Sequence, residues 1–569
     1  MAKSSMASIM SGTGSARWRG PRRLRRRHGA LVTAAAVIVL AGCGTSSGGS
    51  GGPQSAALAV SSSHTLNLAF GADMQVPDPD IFYEIEGNAV VTSVYEGLVK
   101  YADNSTTIVP CLAASWTISP SGTQYTFHLR PGVTFHDGTP MTSEDWAFDF
   151  ARRTGLGATS AQGYMLADVA STETPDPLTF IVNLTQPVSA FMDYMASPYG
   201  PKALSATAVK AHEKGVTAAN PNGDWAQAWL RTHDAGTGPY QITTFDYGSI
   251  YTLAAYPGYW GPKPYYSTVN VHIVPDINTQ QDELESGQLS MLLHGLPIAA
   301  VKSFKANPDY EVQTFPTQLK AMLDVNPHVG IFQSQAVRSA LRQAIDKAQI
   351  VADVYDNYTA TVSNQVYPEG EFPSNLALDN PTYDPSALKS VLARTPGSKV
   401  VSLAYSTDDP TNQRLAEFIE SELDADGLTV NIHGVPISQV FDFVSTPASQ
   451  LPDLLVWTVN PDDSAPDSWV RIFCATVQGA NGGLNELQGS VPAADALMNA
   501  GLDSNDPATI KADYAQAATD IANSGEWISI ANVDDTVVSH AGVTGWYHQP
   551  PTADTVVLGA LTYKAPTGS

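Results

Sequence analysis

Between Val400 and Val459 the chain switches from strand to helix periodicity and back, and this alternation limits its fold more than any other stretch. Val400 to Tyr405 reads as a short apolar strand. Asn412 to Asp426 places Leu415, Phe418, Ile419 and Leu423 on one face of a helix, with Gly427 positioned to end it. Leu428 to Ile432 reads as a second strand, Val440 to Val444 as a short helix, and Asp453 to Val459 as a third strand. Strands that alternate with helices at this spacing are expected to lie parallel, joined by right-handed crossovers. Ligands of such open α/β sheets sit outside the carboxyl ends of the strands. Ser406 to Asp409 and Trp457 to Asp463 are therefore the first candidates for a ligand crevice.

The rest of the body is mixed α/β. Thr65 to Phe70 alternates as a strand does, and so does Tyr125 to Leu129, which runs into the turn Arg130-Pro131-Gly132. Thr142-Ser143-Glu144-Asp145 is a capping-box variant and predicts a helix through Trp146, Phe148 and Phe150. Val337, Leu341, Ile345 and Ala348 recur at helical spacing, which predicts one amphipathic helix from Gln335 to Val354. With 569 residues, 43% of them hydrophobic, the chain can bury more than one core. No stretch reaches the roughly 18 apolar residues of a membrane span. The formal net charge of −25 opposes binding to nucleic acid, whose phosphates it would repel.

That charge is unevenly spread. Lys3, Arg17, Arg19, Arg22, Arg23, Arg25, Arg26 and Arg27 precede the first acid, so the body is more acidic than the whole. Arg22 to Arg27 followed by the largely apolar Ala30 to Leu40 has the layout of a signal peptide. Leu40-Ala41-Gly42-Cys43 resembles the bacterial lipoprotein cleavage box. The resemblance implies that Cys43 is acylated and becomes the first mature residue, tethering the body to the outer face of the cytoplasmic membrane. The Gly- and Ser-rich stretch that follows, to Ser63, reads as a flexible leash. Its Gly48-Gly49-Ser50-Gly51-Gly52 matches G-x-S-x-G only formally, because the match lies within linker.

Catalytic constellations are sparse. H-E-x-x-H, C-x-x-C, P-loop and EF-hand patterns are all absent from the sequence. His128 and His136 flank a turn, and Glu84 and Glu86 could share one face of a strand, but neither pair makes a recognisable site. No cofactor and no metal are expected. With Cys43 given to lipid, Cys111 and Cys474 remain; they could form a bridge, and the expectation is two separate buried thiols. The aromatics of Tyr256-Pro257-Gly258-Tyr259-Trp260-Gly261 and Pro264-Tyr265-Tyr266 are expected to plug loops onto the core.

Several blocks resemble the family-5 extracellular solute-binding proteins of ABC importers, the peptide- and nickel-binding group. Tyr95-Glu96-Gly97-Leu98-Val99 follows Asp78-Pro79, and Leu112-Ala113-Ala114-Ser115-Trp116 precedes the most specific block, from Tyr125 to Asp145. Gly236-Thr237-Gly238-Pro239-Tyr240, Tyr256 to Trp260, and Val337 to Asp346 continue the match, which runs from about residue 64 to 565. The resemblance implies an α/β, two-lobed periplasmic-binding-protein fold of type II with an extra subdomain, its lobes joined by two crossovers. Expected boundaries are a signal peptide over 1–42, the linker over 43–63, lobe I over 64–316 with a subdomain inserted at about 95–210, lobe II over 317–528, and a return to lobe I over 529–569. The crossovers are expected near Phe315–Leu319 and Glu526–Ala531.

The resemblance also implies a binding protein rather than an enzyme, usually monomeric, that closes over a solute and docks on an ABC permease. Tyr83 and Ile85 occupy loop positions beside the ligand in peptide-binding relatives, and Trp457 matches a cleft tryptophan, with a place in the lobe II core as the alternative. Asn460 stands where peptide binders carry an Asp that pairs with the ligand's ammonium, and an amide supplies no charge for that. Asp462 or Asp463 is the expected substitute, the alternative being solvated loop charge. Asn481-Gly482-Gly483-Leu484-Asn485 resembles a polar loop lining the cleft, or is a plain surface turn. An oligopeptide is the expected solute. An oligosaccharide, a nickel or siderophore chelate, a secreted hydrolase on the same frame, and a sensory receptor are the competing readings.

Overall fold

The computed structural model describes residues 64–565, apart from 75, 218–222, 294, 364, 372–380, 408, 477–482 and 551–555. Cys43, the 43–63 linker and Asn481 lie outside the described residues. No helix among the described residues is long and apolar enough to cross a membrane.

The apolar residues gather into two bodies. In the first, one core joins Leu66 to Leu293 with Val537 to Leu561. It encloses a sheet in which Thr65–Phe70 lies parallel to Thr268–Ile273, followed by antiparallel Ile250–Ala255 and Tyr240–Asp246. The same core continues under an antiparallel sheet of Ala113–Ile118, Gln124–Leu129, Thr179–Leu184 and Val169–Asp176. The helix Ser143–Leu156 packs there, with Trp146 wholly buried and the rings of Phe150 and Phe180 in edge contact at 5.2 Å. Its start is the expected box: the Asp145 carboxylate accepts from the backbone N–H and the hydroxyl of Thr142, both at 2.9 Å.

Two further cores, spanning Ala321 to Ala531, make the second body. Val400–Ser406 lies parallel to Thr429–Val435 on one side and Leu454–Val459 on the other, as the alternation of period requires. The connecting helix Pro410–Ala425 buries Leu415, Ile419 and Leu423, and Gly427 follows it at φ +100°. The second connection is a helix, Ile437–Phe441, that passes into 3₁₀ turns rather than a helix over Val440 to Val444. The expected single helix Gln335 to Val354 is two, Gln335–Ala344 and Lys347–Asp353. Ile345 is extended, and the Asp346 carboxylate accepts from the Gln349 N–H at 3.0 Å, starting the second helix afresh.

The two bodies share one long two-stranded ribbon. Tyr310–Val325 pairs antiparallel with Trp527–His540 along almost its whole length, and both strands belong to the larger sheet. The register shifts between Pro316 and Leu319, where the residues opposite are Asp534 and Val533, and again between Ala321 and Met322. Cys111 and Cys474 are free buried thiols in the cores of different bodies.

Candidate functional site

The chain leaving Leu454–Val459 turns at Asn460-Pro461-Asp462-Asp463 and enters the helix Pro466–Cys474. The Ser468 hydroxyl holds this turn, accepting from the N–H of Asp462 at 3.0 Å and of Asp463 at 3.2 Å. The Asp462 carboxyl is thereby carried against the first body. The phenol of Tyr83 donates to Asp462 at 2.8 Å and that of Tyr164 donates at 2.7 Å. The Ser197 hydroxyl donates to the Asp462 carbonyl at 2.6 Å. Next to it the Ser464 N–H donates to the Tyr101 phenol at 2.9 Å, and that phenol donates to Asp193 at 3.0 Å. Ala465 packs into the core of the first body. The seam is thus built from acids and phenols, and a cleft of about 320 Å³ opens beside it, lined among others by Asp193, Gly370, Ser464 and Ala465.

Tyr83 is aimed by a buried ion network. The Asp78-Pro79-Asp80 turn precedes it, and the last turns of Ser143–Leu156 bring Arg152 and Arg153. Arg152 grips Asp78 with two bonds, at 2.5 and 2.8 Å, and Asp80 at 2.6 Å. Arg153 meets Asp80 at 3.0 Å and donates to the carbonyls of Pro79, Tyr199 and Gly200. All four charged side chains are fully buried, two of each sign, so the desolvated charges balance. Gln162 completes the clamp by donating to the carbonyls of Pro79 and Phe82.

The other residues singled out from the sequence have varied surroundings. Ile85 is 40% exposed on the same loop. Asn460 is half-buried, its amide donating to the Pro461 carbonyl. Trp457 is enclosed in a core of the second body, its indole N–H donating to Asp324 at 2.8 Å. Asn485 is buried, its amide donating to the carbonyls of Ala475 and Gly489 and its oxygen accepting from the Gly489 N–H. At Ser406 to Asp409 the described polar groups serve the fold, for Asp409 caps Pro410–Ala425.

The signature blocks hold the first body together. Glu96 accepts from Thr237, Tyr259 and Trp260, and Arg130 lies over the Trp260 ring at 4.3 Å, so the aromatic loop is plugged onto the core. His136 bonds Asp234 and the Gly238 carbonyl. A Cβ at Gly236 would fall 2.0 Å from the Val94 carbonyl oxygen and one at Gly238 2.3 Å from that of Ser93, so only glycine lets these backbones meet. Among the described residues no group of three or more His, Cys, Asp or Glu is placed to hold a metal ion.

Burial governs the acids. It pushes Asp462 up to about 6, against the pull of the Tyr164 and Tyr83 phenols, Asp193 to about 6, and Asp324 to about 7. A carboxyl whose folded pKa is raised binds its proton more tightly in the native state. Its stabilising effect is complete below pH 4 and is lost as pH climbs through the folded value. The protein should therefore melt several degrees lower at pH 8 than at pH 5, as read by calorimetry; an equal or higher Tm at pH 8 would contradict this.

Comparison with known proteins places this geometry. Residues 107–481 match the family model described as bacterial extracellular solute-binding proteins, family 5 Middle. The glutathione-binding protein GsiB of Shigella flexneri is 24% identical over 502 residues, which is 85% of this chain and 92% of that protein. Among solved structures, the ABC transporter-associated periplasmic binding protein DppA from Helicobacter pylori, in complex with the peptide STSA, superposes with a TM-score of 0.73 at 21% identity, over 88% of this chain and 98% of its own. NikZ from Campylobacter jejuni, in complex with Ni(L-His), gives 0.74 at 20% identity, over 88% and 99%. The fold is that of two-lobed periplasmic binding proteins.

Proposed function

The chain belongs to the bacterial extracellular solute-binding proteins, family 5, the substrate-binding components of ABC importers, and on that premise we propose that its solute is peptide-like and is held at its ammonium by Asp462. Proteins of this family are transport binding proteins rather than enzymes, work outside the cytoplasm and deliver their solute to a permease. One observation carries the proposal. Asp462 brings a carboxylate to the seam between the bodies, where phenols of the other body already bond it. A carboxylate there supplies the charge that Asn460 lacks, and an incoming ammonium makes a stronger bond to it than a neutral phenol does.

Hinge closure is the proposed motion, the first body moving as lobe I against the second as lobe II. The pivot is placed where Pro316 to Leu319 faces Asp534 and Val533, since the register shift there leaves Thr317 and Gln318 without a residue paired opposite them. Closure is driven by a solute that touches both lobes, because only differential affinity shifts such an equilibrium. Cys43 is the proposed lipid attachment point. Cys43→Ala is expected to release the protein from the membrane fraction into the medium, and unchanged fractionation would contradict the anchor. For the solute itself, calorimetric titration with di- to penta-peptides is expected to give saturable heat. Heat with an oligosaccharide or a nickel chelate and none with any peptide would replace the peptide reading.

A further inference from the structure

The helices Pro492–Leu502 and Pro507–Ser524 pack in a core of the second body, yet Leu502, Asp503 and Asn505 at their connection bond the first. The Leu502 carbonyl accepts from the Ser189 N–H at 2.7 Å. Asp503 accepts from the Gln186 amide at 2.8 Å, and the Asn505 amide donates to the Pro120 carbonyl at 3.0 Å. We infer that this connection is a clasp that holds the lobes shut from outside the Asp462 seam, so that residues away from the solute set how tightly the solute is held. The inference rests on the reading of the two bodies as lobes of a hinge and names a device that governs their closure.

Both halves of the clasp are built firmly. On the second body the two helices touch, for a Cβ at Gly501 would fall 2.8 Å from the Tyr514 ring. The Ser504 hydroxyl accepts from the Asp506 N–H at 3.1 Å, and the Asp506 carboxylate caps the next helix by accepting from the Thr509 N–H at 3.1 Å. On the first body the clasp meets the turn between Ala113–Ile118 and Gln124–Leu129 and the segment that follows Thr179–Leu184, two places on one sheet. Leu502 adds apolar contact, its side chain packing against the first body's core. Gly122, in that turn, is buried, and a Cβ there would fall 2.8 Å from the Asn505 Cβ. The surfaces thus fit at the distance that only a glycine allows, and every bond runs from protein to protein.

The clasp also stands at the cleft. Ser189 lines the 320 Å³ space, and so do Pro507 and Ile510 of the helix that follows the clasp, so this end is closed. The lining residues Thr106 and Gly370 meet across the bodies through a longer bond, 3.4 Å from hydroxyl to carbonyl. A binding protein whose competent form is only partly populated loses apparent affinity in proportion. Each bond that favours the shut form therefore tightens binding without touching the solute. Gln186, Asp503 and Asn505 are exposed, so replacing them leaves both cores intact.

The test is small-angle scattering without added solute, beside calorimetry with di- to penta-peptides, on the Cys43→Ala chain as parent. The variants are the double change Gln186→Ala with Asn505→Ala, and Gly122→Asn. Asn tolerates the left-handed φ of +71° at position 122, while its Cβ wedges against Asn505. The parent is expected to scatter as the shut structure does. Both variants should show a larger radius of gyration with unchanged circular dichroism, and in the double variant the open-to-shut ratio should rise by about tenfold, on the scale of two hydrogen bonds. Peptide affinity should fall by up to the same factor. Tyr83→Phe with Tyr164→Phe, which loosens the seam instead, is the comparison. If it opens the lobes and neither clasp variant does, the clasp is overturned and the hinge stands. A parent that is already open, with the same profile in both clasp variants, also overturns the clasp alone. If no variant changes the profile of a shut parent, the hinge reading falls and the clasp with it. If no peptide binds, the peptide reading fails and the scattering decides the clasp.

Discussion

Asp462→Asn should weaken binding of a peptide by about a hundredfold or more, the roughly 3–5 kcal/mol that follows when one partner of a buried charge pair is removed. The substitution preserves shape, so the turn held by Ser468 and the contact with the Tyr83 phenol can remain. What it removes is the charge that would face the ammonium. Fold stability at neutral pH should hold or rise, because a carboxylate fully desolvated at the seam is itself costly to keep ionised. Tyr83→Phe separates the charge from its support: losing one hydrogen bond to a charged group is expected to cost about 1.5–3 kcal/mol at most, a smaller effect than loss of the charge. Titration calorimetry of both variants beside their melting curves checks the ordering. A peptide affinity for Asp462→Asn within threefold of wild type would remove Asp462 from the site.

Arg152→Met should be the most damaging single change in the first body. It strips three bonds from Asp78 and Asp80, both fully enclosed, and leaves two carboxylates sharing Arg153. Asp149 lies close by, wholly buried and raised well above its usual range by burial and then by Asp80, so the environment cannot absorb more negative charge. The expected loss is about 3–5 kcal/mol, or roughly 10 °C in the Tm of the transition that unfolds this body. Arg152→Lys keeps the charge but gives up the planar fork that spans two acids, so it should recover only part of the loss. Adding Asp78→Asn to Arg152→Met should restore some stability by removing one stranded charge, a coupling that a double-mutant cycle measures. A Tm within 2 °C of wild type for Arg152→Met would show the network to be dispensable. Because the clamped turn precedes Tyr83, a folded but loosened variant should also bind solute more weakly.

The elements that could be read directly are those whose signals are local. The parallel unit from Val400 to Val459 follows from period and spacing alone. The Thr142 box is written in four consecutive residues. Gln335 to Val354 misleads because its apolar period continues through a break; Asp346, with no apolar role of its own, starts a new helix by capping it. Trp457 and Asn485 look like cleft residues by position, but the fold gives their polar atoms partners in Asp324, Ala475 and Gly489. Arg152 and Arg153, in a helix otherwise rich in buried aromatics, were the available hint of a buried ion network, and Asp78 and Asp80 its other half. Nothing in the linear order points to Tyr101, Tyr164 or Asp193.

By itself the sequence determined the type and order of the local elements, the acidity of the body and the turn at which the parallel unit offers its carboxyls. Periodicity, caps and turn residues act over a few positions, and those positions are consecutive. The tertiary structure alone decided which side chains meet at the seam. Tyr83 and Tyr164 reach Asp462 across separations of 379 and 298 residues, and the Asp462 carboxyl owes its character to burial between elements that are adjacent only in space. Loss of water is a property of the packed molecule, and no run of residues carries it.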